Sequence, residues 1–569
     1  MPVRLLLLLV SCWIAAAQTP APEVSTREAP AIFRTGTDLV LVPVVVRDAQ
    51  GRIVGNLTQE DFQIFDKGKQ QTILKFSVEK PAAGTIPTIV ATANEIGVDQ
   101  PALTSARPIA TVPDRFVAFI FDDQHLLPGD FLAVRAAVDR QLAEIFKEPG
   151  TRVAIYATSG HPALDFTDDR DKAHKTLVSI MPQTNGLAKD ERCPDISYYW
   201  ADLILSHNDD AAWQAAIAET KACLGADVDP ESVKSIARSS AIVALAMGRR
   251  ETGLALGVIK DVVRRMSATP GKRSVVFVSG GFYLDPDMRG AEMDIFYQAI
   301  RPGIVINSLD ARGLYAVVPG GSVANRGDHP DAASYIFAQR LQTESIALES
   351  NVMGELAYST GGRFFHNDNA LLEGFGQLAA QPESMYILGF SPQNMKMDGS
   401  RHTLKVTLKN GKGFDIQARR DYYAPDHKAD AAEQAKEDIR SAVFSRDELQ
   451  EIPVDVSLQF FKSTDVNAKL TVVAKVDLKG LHFRKDEDRN AETLTLVSSV
   501  FDHNGNFVTG TQKIIDMRLK DQTLDVLMNQ GITVKTTHEL ISGSYLVRLV
   551  VRDSEGQTMA ARNGAVEIP

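Results

Sequence analysis

With 569 residues, 44% of them hydrophobic and 23% charged, the chain is long and apolar enough to bury several cores, which excludes a disordered or fibrous class. Its formal charge of -11, with no cluster of Lys and Arg, argues against nucleic acid as the main partner. After the first apolar run no stretch reaches the roughly 18 residues a spanning helix needs, so no later membrane span is expected.

In chain order, residues 1–17 read as a signal peptide: Arg4 supplies the positive start, Leu5 to Val10 the apolar core, and Ala15-Ala16-Ala17 a small-residue cleavage site. A second reading is a lipoprotein, because Leu9-Val10-Ser11-Cys12 fits a lipobox with Cys12 as the lipidated residue. Residues 18–36 are Pro-, Ala- and Thr-rich and read as a disordered leader, 37–80 as a small β module with turns at Asp48 to Gly51 and Asp66 to Gly68, and 81–113 as a linker.

From 114 to 425 strand and helix patterns alternate, the signature of a mainly parallel sheet with helices on both faces. Phe116 to Leu126, FVAFIFDDQHL, is an apolar run ending in two acids, which a central strand would deliver to the sheet's carboxyl edge, where open α/β sheets bind ligands. A helix over Phe131 to Lys147 follows, then strands beginning near Arg152, Arg273 and Ile304, and a helix over Thr252 to Met266. An insertion occupies about 183–250. The segment HTLKVTLKNGKGFDIQARRDYY reads as a hairpin turning at Asn410-Gly411. A charged helical linker, 426–453, precedes 454–569, whose alternating segments predict an Ig- or fibronectin type III-like β-sandwich.

Removal of the signal leaves two cysteines, Cys193 and Cys223, which in an oxidising compartment most simply form one disulfide across the insertion. The same insertion concentrates Tyr198, Tyr199, Trp200 and Trp213, read as its own core packing, with an exposed protein-binding patch as the alternative.

The opening RTGTDLVLVPVVVRDAQG, then CPDISYYWADLI, PGKRSVVFVSGGF, INSLDARGL and LAYSTGGRFF, in that order, resemble the VWFA-related domain proteins of acidobacterial type, over roughly Phe33 to Pro425. The resemblance implies a von Willebrand factor A (VWA)-like doubly wound α/β fold and a secreted or envelope-located binding protein with no established reaction. It also implies a divalent-cation site built on Asp-x-Ser-x-Ser, a distant threonine and an aspartate.

Carried over by position, Asp122 matches the first aspartate, but Gln124 and Leu126 replace the serines and Gly280 stands where the last acid would be. Thr252 falls near the threonine. One firm carboxylate suits Mg²⁺ or Mn²⁺ poorly, since these hard cations want several oxygen ligands. The expectation is a degenerate site at Asp122 and Thr252, with no cofactor or at most a weakly held Mg²⁺ or Mn²⁺. Asp122 would then be a strand-end acid accepting from Thr252 or backbone N–H groups, with Asp123 on the opposite face.

Ser279 and His125, with Asp122 or Asp123, are the residue types of a hydrolase triad, yet Ser279 lies in V-S-G-G-F, without a nucleophile elbow. Asp310 and Arg312 read as an exposed local ion pair. The leading expectation is a non-enzymatic protein that binds an unidentified protein or envelope component at the sheet's carboxyl edge. A cation-dependent adhesion module is the runner-up, and an exported hydrolase comes third.

Overall fold

The structure, a computed structural model, describes residues 23–30, 40–50, 52–79, 89–90, 92–93, 113, 115–183, 194–225, 227–300, 302–314, 332–379, 384–392, 400–409, 411, 413–424, 431–445, 448–464 and 467–569. The signal segment, Cys12 and Cys193 lie outside these residues.

The apolar runs of the middle region form one six-stranded sheet. Its order across is Ala163–Thr167, Thr151–Ala157, Arg115–Phe121, Lys272–Ser279, Val305–Asp310 and Phe364–Phe365. The first of these is an antiparallel edge and the other five run parallel. Residues Phe116 to Phe121 are fully buried because alternate side chains enter two separate cores. Phe116, Ala118 and Ile120 pack with the helices Pro230–Met266, Arg289–Ile300 and Ala332–Thr360; Val117, Phe119 and Phe121 pack with Pro128–Ile145, Arg170–Ser179 and Leu371–Ala379.

This sheet does not set the class of the chain. Of 26 strands among the described residues only six belong to it, and the other four sheets are antiparallel apart from two short parallel pairs. The expected α/β class, a VWA-like doubly wound sheet with two appended β pieces, is thereby corrected to an antiparallel-β-rich chain. The sequence pattern assigned each strand a face but could not say how many strands would gather into the antiparallel sheets.

The expected small module 37–80 is not self-contained. Val40–Arg47 lies between Met385–Phe390 and Asp415–Ala418, while Phe62–Asp66 pairs with Arg401–Leu408. Two four-stranded sheets result, enclosing a core of Val42, Val44, Val46, Phe62, Ile64, Tyr386, Leu388 and Phe390. Residues 384–424 therefore complete the N-terminal unit. The expected hairpin around Asn410-Gly411 is corrected as well: Arg401–Leu408 and Asp415–Ala418 enter different sheets, so the chain crosses from one layer to the other.

At the C-terminus an eight-stranded sheet faces a four-stranded one across a core that includes Leu458, Leu470, Val472, Leu494, Val500, Val547 and Val551. The helix Ala431–Phe444 covers the outer face of the larger sheet through Ile439, Val443 and Phe444 on Val497, Phe501 and Val550. Two segments read as structureless join this sandwich. Val24–Pro30, within the expected leader, pairs with Phe507–Leu519; Ile89–Val90 and Thr92–Ala93, within the expected linker, pair with Met559–Ile568 and Val454–Lys462. Short strands with few apolar residues are selected by an available sheet edge, which composition does not reveal.

The sandwich seats on the amino end of the six-stranded sheet through the turn 502–506. Arg152 Nε and Nη2 donate to the His503 carbonyl at 3.1 and 2.8 Å. Gly505 has φ +83°, and a Cβ there would lie 2.2 Å from the Phe116 ring, so both the backbone and the close approach require glycine.

Candidate functional site at the carboxyl edge

The strand Arg115–Phe121 ends by handing Asp122 to the sheet's carboxyl edge, where its N–H still donates to the Val278 carbonyl at 2.8 Å. The chain then turns tightly, with the N–H groups of His125 and Leu126 both donating to the Asp122 carbonyl. Leu126, 2% exposed, drops into the core beneath the helix Pro128–Ile145. A serine at that position would lose this packing, which accounts for an apolar residue where the resemblance expects a ligand.

The Asp122 carboxylate is fully buried and accepts from three side chains. Ser279 Oγ donates to Oδ2 at 2.6 Å, Thr158 Oγ1 to Oδ1 at 2.8 Å, and His125 Nδ1 lies 2.9 and 2.8 Å from the two oxygens. Burial is the largest influence and pushes this carboxyl up. The positive His125 ring and the hydrogen bonds from His125, Ser279 and Thr158 outweigh it and hold the group below its ordinary value. His125 moves reciprocally: burial pushes it down, but the Asp122 charge and hydrogen bond, with Glu251 and Glu349 nearby, raise it above the usual imidazole value.

Asp123 does not face the opposite side, and the expectation that it would is corrected. The extended geometry stops at Phe121, so strand alternation no longer applies. Its Oδ1 accepts from Thr158 Oγ1 at 3.0 Å and Ser159 N at 2.9 Å, and its Oδ2 from Ser159 Oγ at 2.6 Å. Burial dominates here and raises the carboxyl; the Ser159 and Thr158 bonds oppose it, and the Asp122 charge adds to it.

Thr252 is not brought to Asp122. It is fully buried on the long helix Pro230–Met266, and its hydroxyl donates to the Tyr283 carbonyl at 3.1 Å. The expected contact between Thr252 and Asp122 is corrected accordingly, and Thr158 and Ser279 supply the hydroxyls instead. At Gly280 a Cβ would lie 3.0 Å from the His125 carbonyl, so a side chain there would press on the turn that carries His125.

Ser279 and His125 both contact Asp122, but the carboxylate stands between them. Ser279 donates to Asp122 and accepts from Gly281 N at 2.8 Å, while His125 Nδ1 is committed to the same carboxylate. A nucleophilic serine needs the imidazole as its base and the acid behind the imidazole, which is a different order.

The adjacent strand end adds a second locked group. Arg312 binds Asp310 through Nε at 3.0 Å and Nη2 at 2.8 Å, reaches Ser350 Oγ at 2.8 Å, and approaches Glu349 at 3.4 Å. Asp310 and Arg312 retain only 1% and 18% side-chain exposure, so the expected exposed pair is corrected to a buried one. Thr158, Ser159 and Glu349 were not singled out from the sequence. For Thr158 a signal existed: Phe121 and Ala157 are register partners, so the next residues, Asp122 and Thr158, must stand side by side.

In the insertion, Trp200 is 4% exposed and its Nε1 donates to the Ala212 carbonyl at 3.0 Å, inside a cluster with Ile204, Ala216, Ala237 and Ala241. Tyr198 and Tyr199 donate to Asp285 and Glu344 at 2.8 and 3.1 Å. Cys223 lies on the helix Asp210–Leu224.

No family model matches the chain, and no curated protein matches it. Among solved structures, the pilus adhesin SpaC from Lactobacillus rhamnosus GG in an open conformation is similar over 80% of this chain, at 10% identity and a TM-score of 0.23. The three N-terminal domains of the type V pili tip protein Mfa5 from Porphyromonas gingivalis are similar over 88% of this chain and 78% of that one, at 9% identity and a TM-score of 0.21. A DUF4785 family protein from Legionella pneumophila is similar over 33% of this chain and 42% of that one, at 10% identity and a TM-score of 0.13. The chain spans about half of SpaC, 53%. No helix among the described residues is long and apolar enough to cross a membrane.

Proposed function

We propose that this chain is a secreted or envelope-located, non-enzymatic binding protein that docks a protein partner on the carboxyl edge of the six-stranded sheet. The observation that carries this reading is the rim of that edge. Leu127 follows the Asp122 turn, Leu132 lies in the second turn of the helix that begins at Pro128, and Leu314 follows the strand Val305–Asp310; they are 64%, 57% and 62% exposed. Parallel strands bring their carboxyl ends to one side, so these leucines lie at the same edge as the Asp122 and Asp310 networks. Exposed large apolar side chains around a rigid polar floor are the composition of a protein-docking patch. The Asp122, Asp123 and Asp310 carboxylates of the floor are each held by neighbouring donors, which suits recognition rather than a reacting group.

Secretion rests on the Arg4 to Ala17 pattern, and a Cys193–Cys223 disulfide bracing the insertion belongs to the same proposal. The test is a pull-down from envelope extract, with and without EDTA, using the native chain and a Leu127→Asp/Leu314→Asp variant. The expected result is a partner retained in EDTA and lost with the variant. A partner released by EDTA would instead favour cation-dependent binding at the carboxyl edge, with Asp122 as the carboxylate and without Thr252.

A further inference from the structure

The strand Val24–Pro30 forms one edge of the eight-stranded sheet, yet contributes nothing to its core. It pairs antiparallel with Thr511 to Met517, Val24 opposite Met517 and Pro30 opposite Thr511. Residues 24–29 are all exposed. What holds the strand is the backbone ladder and a set of surface charges: Arg27 on Asp516 at 2.9 Å, Glu28 with Lys513 at 2.9 Å, and Glu23 near Arg489 at 3.8 Å. The Glu23 carbonyl also accepts from Arg518 N at 2.8 Å.

Exposed ion pairs contribute little, about 0 to 1 kcal/mol each, so the strand rests mainly on its seven-residue backbone ladder rather than on side-chain burial. Its detachment leaves Phe507–Leu519 intact, because that strand remains paired with Arg489–Asp502 on its other side. What opens is a row of unpaired backbone groups, which is a template for another strand. Only nine residues, 31–39, join Pro30 to the strand Val40–Arg47, which belongs to a different β unit.

We propose that Val24–Pro30 is an exchangeable strand, and that its alternative position is the same edge, Thr511 to Met517, of a second copy of this chain. The charge pattern selects that occupant. Glu23, Arg27 and Glu28 meet Arg489, Asp516 and Lys513 in the observed register, and a second copy presents the identical set of partners. Exchange of identical elements restores every bond it breaks, so a swapped pair forms at little free-energy cost once the chains are concentrated. This role does not depend on docking at the carboxyl edge.

The experiment uses two full-length single variants, Ser25→Cys and Asp516→Cys, at positions directly opposite in the ladder. Mixing them at high concentration, with one chain isotopically labelled, then oxidising, is expected to give a disulfide joining position 25 of one chain to position 516 of the other. Its yield rises with concentration. A double variant, Ser25→Cys/Asp516→Cys, closing within one chain, certifies the geometry, and the Ala29→Cys with Gln512→Cys pair, which leaves Arg27 and Asp516 in place, repeats the test four residues along the strand. Closure within chains only, for both pairs, overturns the proposal. So does cross-linking of a thiol-bearing 23–30 peptide to the Asp516→Cys chain when no chain-to-chain product forms.

Discussion

His125, at the carboxyl edge of the six-stranded sheet, and His538, inside the C-terminal sandwich, are both shielded from water, yet their protonation is driven in opposite directions. His538 is 3% exposed and its Nε2 lies 2.8 Å from the Ser498 hydroxyl. Burial dominates and pushes it down to about 4, only weakly opposed by the charge of Glu28. His125 meets a carboxylate instead, and Asp122 turns the same desolvation into a net rise. A hydroxyl satisfies a ring nitrogen without offsetting its charge, whereas a carboxylate does both. The two sites differ in composition accordingly: His538 meets a single hydroxyl in the sandwich interior, and His125 meets a carboxylate that two further hydroxyls also bond.

The largest way to break the contrast is Asp122→Ala. It strands the His125 ring and leaves the Ser279 and Thr158 hydroxyls without their acceptor. Removing one member of a buried charged pair typically costs about 3 to 5 kcal/mol, to be read from the denaturant midpoint at constant slope.

Next in size is the acid response of the sandwich. The His538 value falls from 6.5 in the unfolded chain to about 4 in the folded one, so the unfolded state takes up a proton first as pH drops. Stability is therefore full above 6.5 and declines towards 4, by about 3 to 4 kcal/mol at most, since each pH unit corresponds to about 1.4 kcal/mol. His538→Gln is expected to flatten that decline in urea titrations at pH 7, 5.5 and 4.5.

The smallest effect sharpens the sign. Because His125 is raised, its contribution is present below the unfolded imidazole value and is lost as pH climbs through the folded one. His125→Gln removes a charge-assisted hydrogen bond worth about 1.5 to 3 kcal/mol at acid pH and less at alkaline pH, opposite in slope to His538→Gln. Parallel slopes in the two variants would dissolve the distinction.

Much of the carboxyl edge was legible because it depends on local pattern. An apolar run ending in Asp122-Asp123, and turns at Ser279 and Asp310, place those residues at strand ends without any knowledge of pairing. The misreadings share one physical source: contacts set by distant partners. Val44 alternates correctly whether its neighbour is Tyr386 or a nearby hairpin strand, and nothing in the alternation prefers one. Val24 to Pro30 has the composition of a loose leader and becomes a strand only because Phe507–Leu519 offers an edge. Thr252 sits near the right point in the sequence for a ligand, but the helix phase directs its hydroxyl to the Tyr283 carbonyl. Cysteine pairing rests partly on Cys193, outside the described residues.

The division of the N-terminal β unit between 40–79 and 384–424 has a consequence for the order of folding. Tyr386 donates to the Val54 carbonyl across 332 positions, and four of the six ladders of that unit span a comparable gap. During synthesis its first half emerges long before its second, with its edges unpaired throughout that interval. Closing so long a loop directly is slow, and exposed strand edges are prone to aggregate. The strands of the six-stranded sheet all lie between Arg115 and Phe365, so that sheet can complete while the first half of the N-terminal unit still waits for its partners.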